Sequence, residues 1–580
     1  MGHFGDRMKL TIAAACAGVV LSAVAASAAA QTIYPINRAQ ILTGAAFDLK
    51  VEFPGAPAPA DVKVTINGED AAKVLGRPPE IIANEDGFPQ TAYWIRGAHL
   101  DAAGRYSVEA SVGAAKANVT WDVFATPDGR KAKNVILFIG DGMSMAHRTA
   151  ARILSKGITE GRYGGELAID DMPYMALVST AGTDSVITDS ANSMTAYTTG
   201  HKSCVNALGV YCANNKRSLD HPKIETVAEL AKRKLGVAVG VVTDTEIEDA
   251  TPAGMVAHTR LRADFPHIVR MFYDVQPDVI MGGGTPYFLP KGDTKGKRPD
   301  EENYIAKFEQ VGYAFATTAT ELKADAAKSE TRKLLGLFND GNLDGALDLK
   351  FLKKGTVSKF PDQPDLTDEV RAALQILSRN DNGFVLMVEA GLIDKYSHNL
   401  DWERAVYDTI MLDDAVQVAK DFAAIRNDTL IIVVPDHAHP ISLVGTYDDA
   451  AGSTLREKLQ TYAAARFPNY PPPDREGYPP SVDVSRRLAL VFAAYPDFCD
   501  AGKPNLAGPN DLVKASPNEV YCAPGTALRV GNLSVFAHAG VHSGDDVVLT
   551  AIGPGAEMFH GHIDNTMVFR AIALALGLGK

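Results

Sequence analysis

Asn134-Val-Ile-Leu-Phe-Ile-Gly-Asp-Gly-Met143 is a continuous apolar run that stops at a glycine and is followed at once by a carboxylate. A strand facing solvent on one side alternates apolar and polar residues, whereas an unbroken run is buried on both faces, as in a parallel sheet covered by helices. The same pattern recurs at Val237-Ala-Val-Gly-Val-Val242, Phe384-Val-Leu-Met-Val388, Thr429-Leu-Ile-Ile-Val-Val434 and Val547-Val-Leu-Thr-Ala-Ile552, separated by segments of helical periodicity. An α/β unit is therefore predicted over residues 128–580, with a central, mostly parallel sheet flanked by helices. A Pro-, Tyr- and Asp-rich stretch, 443–537, reads as an insertion on that core.

Ahead of it, 31–127 alternates in short runs such as Phe47–Phe53, Val62–Ile66, Tyr106–Ala110 and Asn118–Phe124, broken by turn signals such as Asn67-Gly68. That spacing predicts a small immunoglobulin-like β-sandwich. It contains no cluster of His, Asp or Glu at metal spacing, so the catalytic part is expected to work without it. Residues 1–30 have a basic start, an Ala-rich apolar run and a small-residue end, the pattern of a secretory signal peptide rather than a membrane anchor. Export, periplasmic or secreted, is the expectation. Four cysteines follow the leader, and the simplest of three connectivities is Cys204–Cys212 with Cys499–Cys522. A net charge of −13 over 580 residues argues against general nucleic-acid binding. It leaves room for an anionic substrate, because bound divalent cations invert a local field.

Polar residues follow nearly every buried run on its C-terminal side, where open α/β sheets bind ligands. Each alone reads as a turn residue, a cap or a satisfied histidine; their joint placement at one sheet edge points to metals. Asp394 and His398 are four apart, so a helix puts both on one face. With His542 they form a His/His/carboxylate set of the kind that holds catalytic zinc. Asp141, Asp436 and His437 form a second set. Asp249, Thr251, Glu389 and the other oxygen of Asp141 form a hard oxygen set suited to magnesium. Ser190 opens a short helix closed by Gly200 and has no Gly-x-Ser-x-Gly elbow around it, so it reads as a nucleophile activated by metal.

Asp141-Gly-Met143, Thr188-Asp-Ser-Ala191, Asp249-Ala-Thr-Pro-Ala253, Glu389 through His398, Asp436-His-Ala-His439 and His542-Ser-Gly544 resemble, in order, the motifs of the alkaline phosphatase family. The resemblance runs from about Lys131 to Lys580 and leaves the sandwich outside it. It implies hydrolysis of small phosphate monoesters through a phosphoserine on Ser190, with two zinc ions and one magnesium ion on the sets above. It also implies a phosphate-binding arginine at Arg262, with Arg260 two residues out of register. A phosphodiesterase on the same scaffold is the alternative, since it needs the same two metals. The nearest match to a sulfatase nucleophile motif, Cys522-Ala-Pro-Gly-Thr526, lacks its arginine. The physiological ester stays open, as does the assembly, with a homodimer among the options.

Overall fold

The computed structural model describes residues 31–509, 522 and 524–579. The leader expected over 1–30 lies outside them, as do residues 510–521 and 523 of the insertion.

The run that opened the sequence reading is strand β1 (Asn134–Gly140). It lies near the middle of a ten-stranded sheet with β2 (Tyr174–Ser179), β3 (Ala238–Glu246), β4 (Val279–Gly283), β5 (Ala314–Ala316), β6 (Leu334–Leu337), β7 (Phe384–Ala390), β8 (Thr429–Val434), β9 (Val547–Ile552) and β10 (His560–Asp564). The spatial order is β5-β6-β4-β3-β7-β1-β8-β9-β2-β10. All neighbours are parallel except β9, which runs antiparallel to both β8 and β2. Strand alternation divides the core. Val135, Leu137 and Ile139 pack with Ala191, Met194 and Tyr197 on one face. Ile136 and Phe138 pack with Ala405, Val406 and Ile410 on the other. Burial on both faces is why the strand carries no polar residue between Asn134 and Gly140.

Helices α1 (Met145–Lys156), α2 (Ser190–Thr199), α3 (Ala250–Ala253), α4 (Leu392–His398), α5 (Trp402–Ala424) and α6 (Thr566–Leu576) position or cover the site. Every residue of α2 is buried although seven of its ten residues carry hydroxyl or amide groups. Three threonines make that burial tolerable by returning their hydroxyls to carbonyls four residues back: Thr195 to Ala191 (3.0 Å), Thr198 to Met194 (2.8 Å) and Thr199 to Thr195 (2.6 Å). The helix starts at a reciprocal cap, in which Asp189 accepts from the Asn192 N–H and the Asn192 side chain accepts from the Asp189 N–H. It ends at Gly200 in the left-handed region (φ 77°), where a Cβ would lie 2.6 Å from the Phe569 ring.

Residues 32–124 form a four-stranded and a five-stranded sheet packed around Leu49, Val51, Phe53, Ile66, Val108 and Trp121. A separate antiparallel sheet, in which Ile441–Asp448 pairs with Arg486–Phe492, lies mostly within the 443–537 stretch. Cys204–Cys212 and Cys499–Cys522 are bonded, with Cα atoms 6.2 and 5.6 Å apart.

The sandwich contributes no residue to the proposed site, yet it is bonded to a segment that does. Asp48 exchanges hydrogen bonds with the Lys223 backbone (2.9 and 3.1 Å), the Glu225 N–H reaches Ala46 O (2.9 Å), and the Tyr34 hydroxyl reaches Cys212 O (3.0 Å). In the same loop, the Asn206 N–H donates to both Asp189 oxygens, and its carbonyl accepts from the Arg262 N–H (2.9 Å). The sandwich thus braces the loop that holds two site residues, a role its lack of metal-type residues did not announce.

Within the sandwich, Lys50 is fully buried against Glu85 (2.7 Å) and Glu52 (3.1 Å). Lys50→Met leaves two buried carboxylates without their cation, so a loss of about 3–5 kcal/mol is expected. Urea unfolding followed through the buried Trp94 and Trp121 measures it; a change below about 1 kcal/mol would contradict this account.

Candidate active site

The parallel register brings together the strand ends that carry the candidate ligands. Ile139 pairs with Glu389 on one side and Val434 on the other, while Thr243 pairs with Glu389. Asp141 after β1, Glu389 in β7 and Asp436 after β8 therefore emerge at one edge, all buried. Helix α4 follows β7 and carries Asp394 and His398 on one face. Gly142 (φ 65°) allows the close turn, since a Cβ there would lie 2.6 Å from the His439 ring. Its N–H donates to Asp436 Oδ1 (3.1 Å).

Asp394, His398 and His542 meet at one point. Each histidine places Nδ1 on a backbone carbonyl, His398 on Gly540 (2.7 Å) and His542 on Thr188 (2.9 Å). The ring proton is therefore on Nδ1, and the bare Nε2 is presented to the site. The two Nε2 atoms are 3.1 Å apart and lie 3.3 and 3.5 Å from Asp394 Oδ1. Three acceptors facing one another repel unless a cation lies between them. Donors around a tetrahedral zinc stand about 3.3 Å apart, so the set fits that ion.

Asp141, Asp436 and His437 make a second convergence. His437 Nε2 is 3.2 Å from Asp141 Oδ1 and 3.3 Å from Asp436 Oδ2. Among the described residues neither oxygen has a hydrogen-bond partner, although both are buried. Ser190 Oγ lies 3.4 Å from the same Nε2. It occupies the first turn of α2, where the helix dipole favours negative charge.

The third set comes together only in part. Asp141 Oδ2 is 3.4 Å from the Thr251 hydroxyl, and Glu389 accepts from the hydroxyls of Thr243 and Thr245. Asp249 departs from the sequence reading. Its Oδ1 takes Arg262 Nη2 (2.8 Å) and the Ala250 N–H (2.7 Å), and its Oδ2 takes Lys395 Nζ (2.8 Å). Both oxygens already face cations, so Asp249 orients Arg262 and Lys395 and keeps little acceptor capacity for an ion.

Burial and the charges of Asp436, Asp394 and Glu389 push the Asp141 carboxyl well above its usual range. Burial also lifts Glu389, to about 7. Burial would raise Asp394 too, but the surrounding imidazoles, His398 first and then His439 and His542, hold it well below. For Asp249, burial is outweighed by Lys395 and Arg262, which keep it ionised.

Arg262 is the arginine aimed into the site: Nη1 reaches Asp189 Oδ2 at 3.2 Å and Nη2 reaches Asp249. Arg260 instead donates to Val205 O (3.0 Å). The sequence reading overlooked two further residues. Lys395 bridges Asp249 and Asp394 (2.8 and 3.8 Å), and its place beside a proposed ligand on α4 was the available signal. His439 donates Nε2–H to Asp394 Oδ1 (2.7 Å) and fixes that carboxylate. Its spacing of two from His437, which puts both side chains on one side of an extended chain, was visible.

The sequence profile of the alkaline phosphatase family matches residues 132–578. The chain belongs to the alkaline phosphatase family. Alkaline phosphatase of Gadus morhua is 29% identical over 496 residues, spanning 78% of this chain and 94% of its own. That of Escherichia coli (strain K12) is 33% identical over 368 residues, spanning 56% and 74%. The solved alkaline phosphatase of Thermus thermophilus superposes with a TM-score of 0.55 at 24% identity, covering 78% of this chain and 93% of that one. That of the Antarctic bacterium TAB5 gives 0.53 at 21%, covering 77% and 98%; these two show the shared fold. The chain is thus a metal-dependent phosphatase of phosphate monoesters.

Arg262→Ala in this phosphatase should weaken inorganic phosphate binding by about 1.5–3 kcal/mol, the scale of hydrogen bonds to charged groups. Arg260→Ala should change it little. Competitive inhibition by phosphate compares them, and the reverse order would show that the register of this loop is misread.

Proposed function

We propose that hydrolysis proceeds by two displacements at phosphorus, with Ser190 carrying the phosphoryl group between them. Asp394, His398 and His542 would hold one zinc ion, Asp141, Asp436 and His437 a second, and Asp141, Thr251 and Glu389 a magnesium ion, with Asp249 acting through Arg262 and Lys395. When bound, these ions supply Lewis-acid stabilisation of the attacking and departing oxygens and neutralise charge on the phosphoryl group.

The position of Ser190 carries this reading. It is buried at the start of a rigid helix, with Oγ beside the ligand nitrogen of His437. Oγ bonds to phosphorus and loses its proton, while the ester oxygen departs and gains one. Water then forms the second P–O bond as the Oγ–P bond breaks, returning the serine and inorganic phosphate. Two inversions give net retention at phosphorus. Arg262 meets two nonbridging oxygens with its planar fork, and Asp189 and Asp249 hold that fork in place. A loose phosphoryl transition state needs little beyond such positioning and charge.

A metal-free Ser–His pair is the rival use of the same contact. The Nε2 of His437 faces two buried carboxylates as well as Ser190, so it is not reserved for the serine proton. Nothing in the site favours the diester alternative. Two disulfides support an exported location, periplasmic or secreted.

Chelation should abolish turnover of an aryl phosphate, and zinc with magnesium should restore it better than either alone. Ser190→Ala should form no acid-trapped phosphoenzyme and lose at least about two orders of magnitude in kcat. Full activity in metal-stripped protein, or a phosphoenzyme in that variant, would overturn the proposal.

A further inference from the structure

Away from the catalytic centre, a cavity of about 520 Å³ lies between the N-terminus of α5 and the 443–537 insertion. Its size is that of a small-molecule site. Leu400, on its wall, follows His398 by two residues, yet none of the proposed metal ligands lines it. The walls are rich in rings, with Trp402 from α5 and Tyr447, Phe492, Tyr495 and Phe498 from the insertion.

Glu403 also lines this space. It is 6% exposed, and among the described residues no hydrogen bond or ion pair from another residue reaches its carboxyl. The neighbouring charges are already matched. Arg404 is held by Asp401 (2.6 Å) and Asp348 (2.7 Å), Arg487 by Asp449 (3.2 Å), and Arg529 by Asp500 (3.0 Å). Lys503, the remaining cation of the lining, is exposed. Burial, with the charge of Asp401 beside it, pushes the Glu403 carboxyl up to about 8. Its own backbone N–H and the charges of Arg487 and Arg404 offset only part of the cost of that burial, so the carboxyl on the first turn of α5 lacks a close cationic partner. A ligand that brings a positive charge removes that cost, and ring faces add attraction for the same charge.

We propose that this cavity binds a small organic cation, an amine or quaternary ammonium on an apolar body, with its charge against the Glu403 carboxylate and its body among the aromatic walls. The site is separate from phosphoryl transfer, so the ligand is a bound effector or cargo rather than the hydrolysed ester.

The probe is choline, titrated into the full-length, metal-loaded protein and followed by Trp402 emission, with Trp402→Phe to subtract the two sandwich tryptophans. Its uncharged carbon isostere, 3,3-dimethylbutan-1-ol, and the isosteric variant Glu403→Gln complete the comparison. Retained turnover of an aryl phosphate reports that the variant is folded. The expected result is saturable binding of choline, with the isostere and Glu403→Gln each weaker by at least fivefold. No saturable signal, or a difference below fivefold in either comparison, overturns the proposal. Calorimetry on the same samples guards against a silent fluorophore.

Discussion

Mutual repulsion among buried carboxylates is the constraint around which this molecule is arranged. Asp141, Glu389, Asp394 and Asp436 converge at one sheet edge, each nearly or wholly removed from solvent. At an effective dielectric near 20, like charges about 4 Å apart repel by roughly 4 kcal/mol per pair. Lys395 and Arg262 offset part of this, but both spend their contacts chiefly on Asp249. The rest of the charge calls for divalent cations, and the bare imidazole nitrogens aimed at the same points supply the remaining donors. Fold and chemistry are coupled here, since the parallel register that assembles the sheet also forces the carboxylates together.

The proposed nucleophile, Ser190, depends on a second, neutral device. Helix α2 is polar by composition and buried by position, and its threonines satisfy that conflict by bonding within the helix. Its capping aspartate, Asp189, also accepts from Asn206 and from Arg262. One side chain thereby fixes the start of the helix, the loop beside it and Arg262. The sandwich presses on that loop from outside, so a domain without ligands still bears on the geometry of the site.

Much of this was legible in the sequence. Strands buried on both faces announce themselves as unbroken apolar runs, and four of the carboxylate positions sit at or just past their ends. The short edge strands were harder. Tyr174–Ser179 and His560–Asp564 lie at one edge of the sheet with one side open: the first is an apolar run whose Met175 and Leu177 are nonetheless exposed, and the second has no apolar run to mark it. Asp249 shows the limit of reading ligands from residue type, because whether its carboxylate meets a metal or a guanidinium depends on Arg262, thirteen positions away along an irregular loop. Lys395 and His439 went unread for a related reason: their importance lies in which carboxylate they touch, a fact of tertiary structure.

The central claim is that three residue sets at one sheet edge hold two zinc ions and a lighter third ion. Anomalous diffraction above and below the zinc edge, from crystals grown with zinc and magnesium, tests it most directly. The account predicts two zinc peaks, one among Asp394, His398 and His542 and one among Asp141, Asp436 and His437. At the third position, by Asp141, Thr251 and Glu389, density should appear without zinc signal. A single zinc peak, or one in which His439 replaces His398 as ligand, would contradict it.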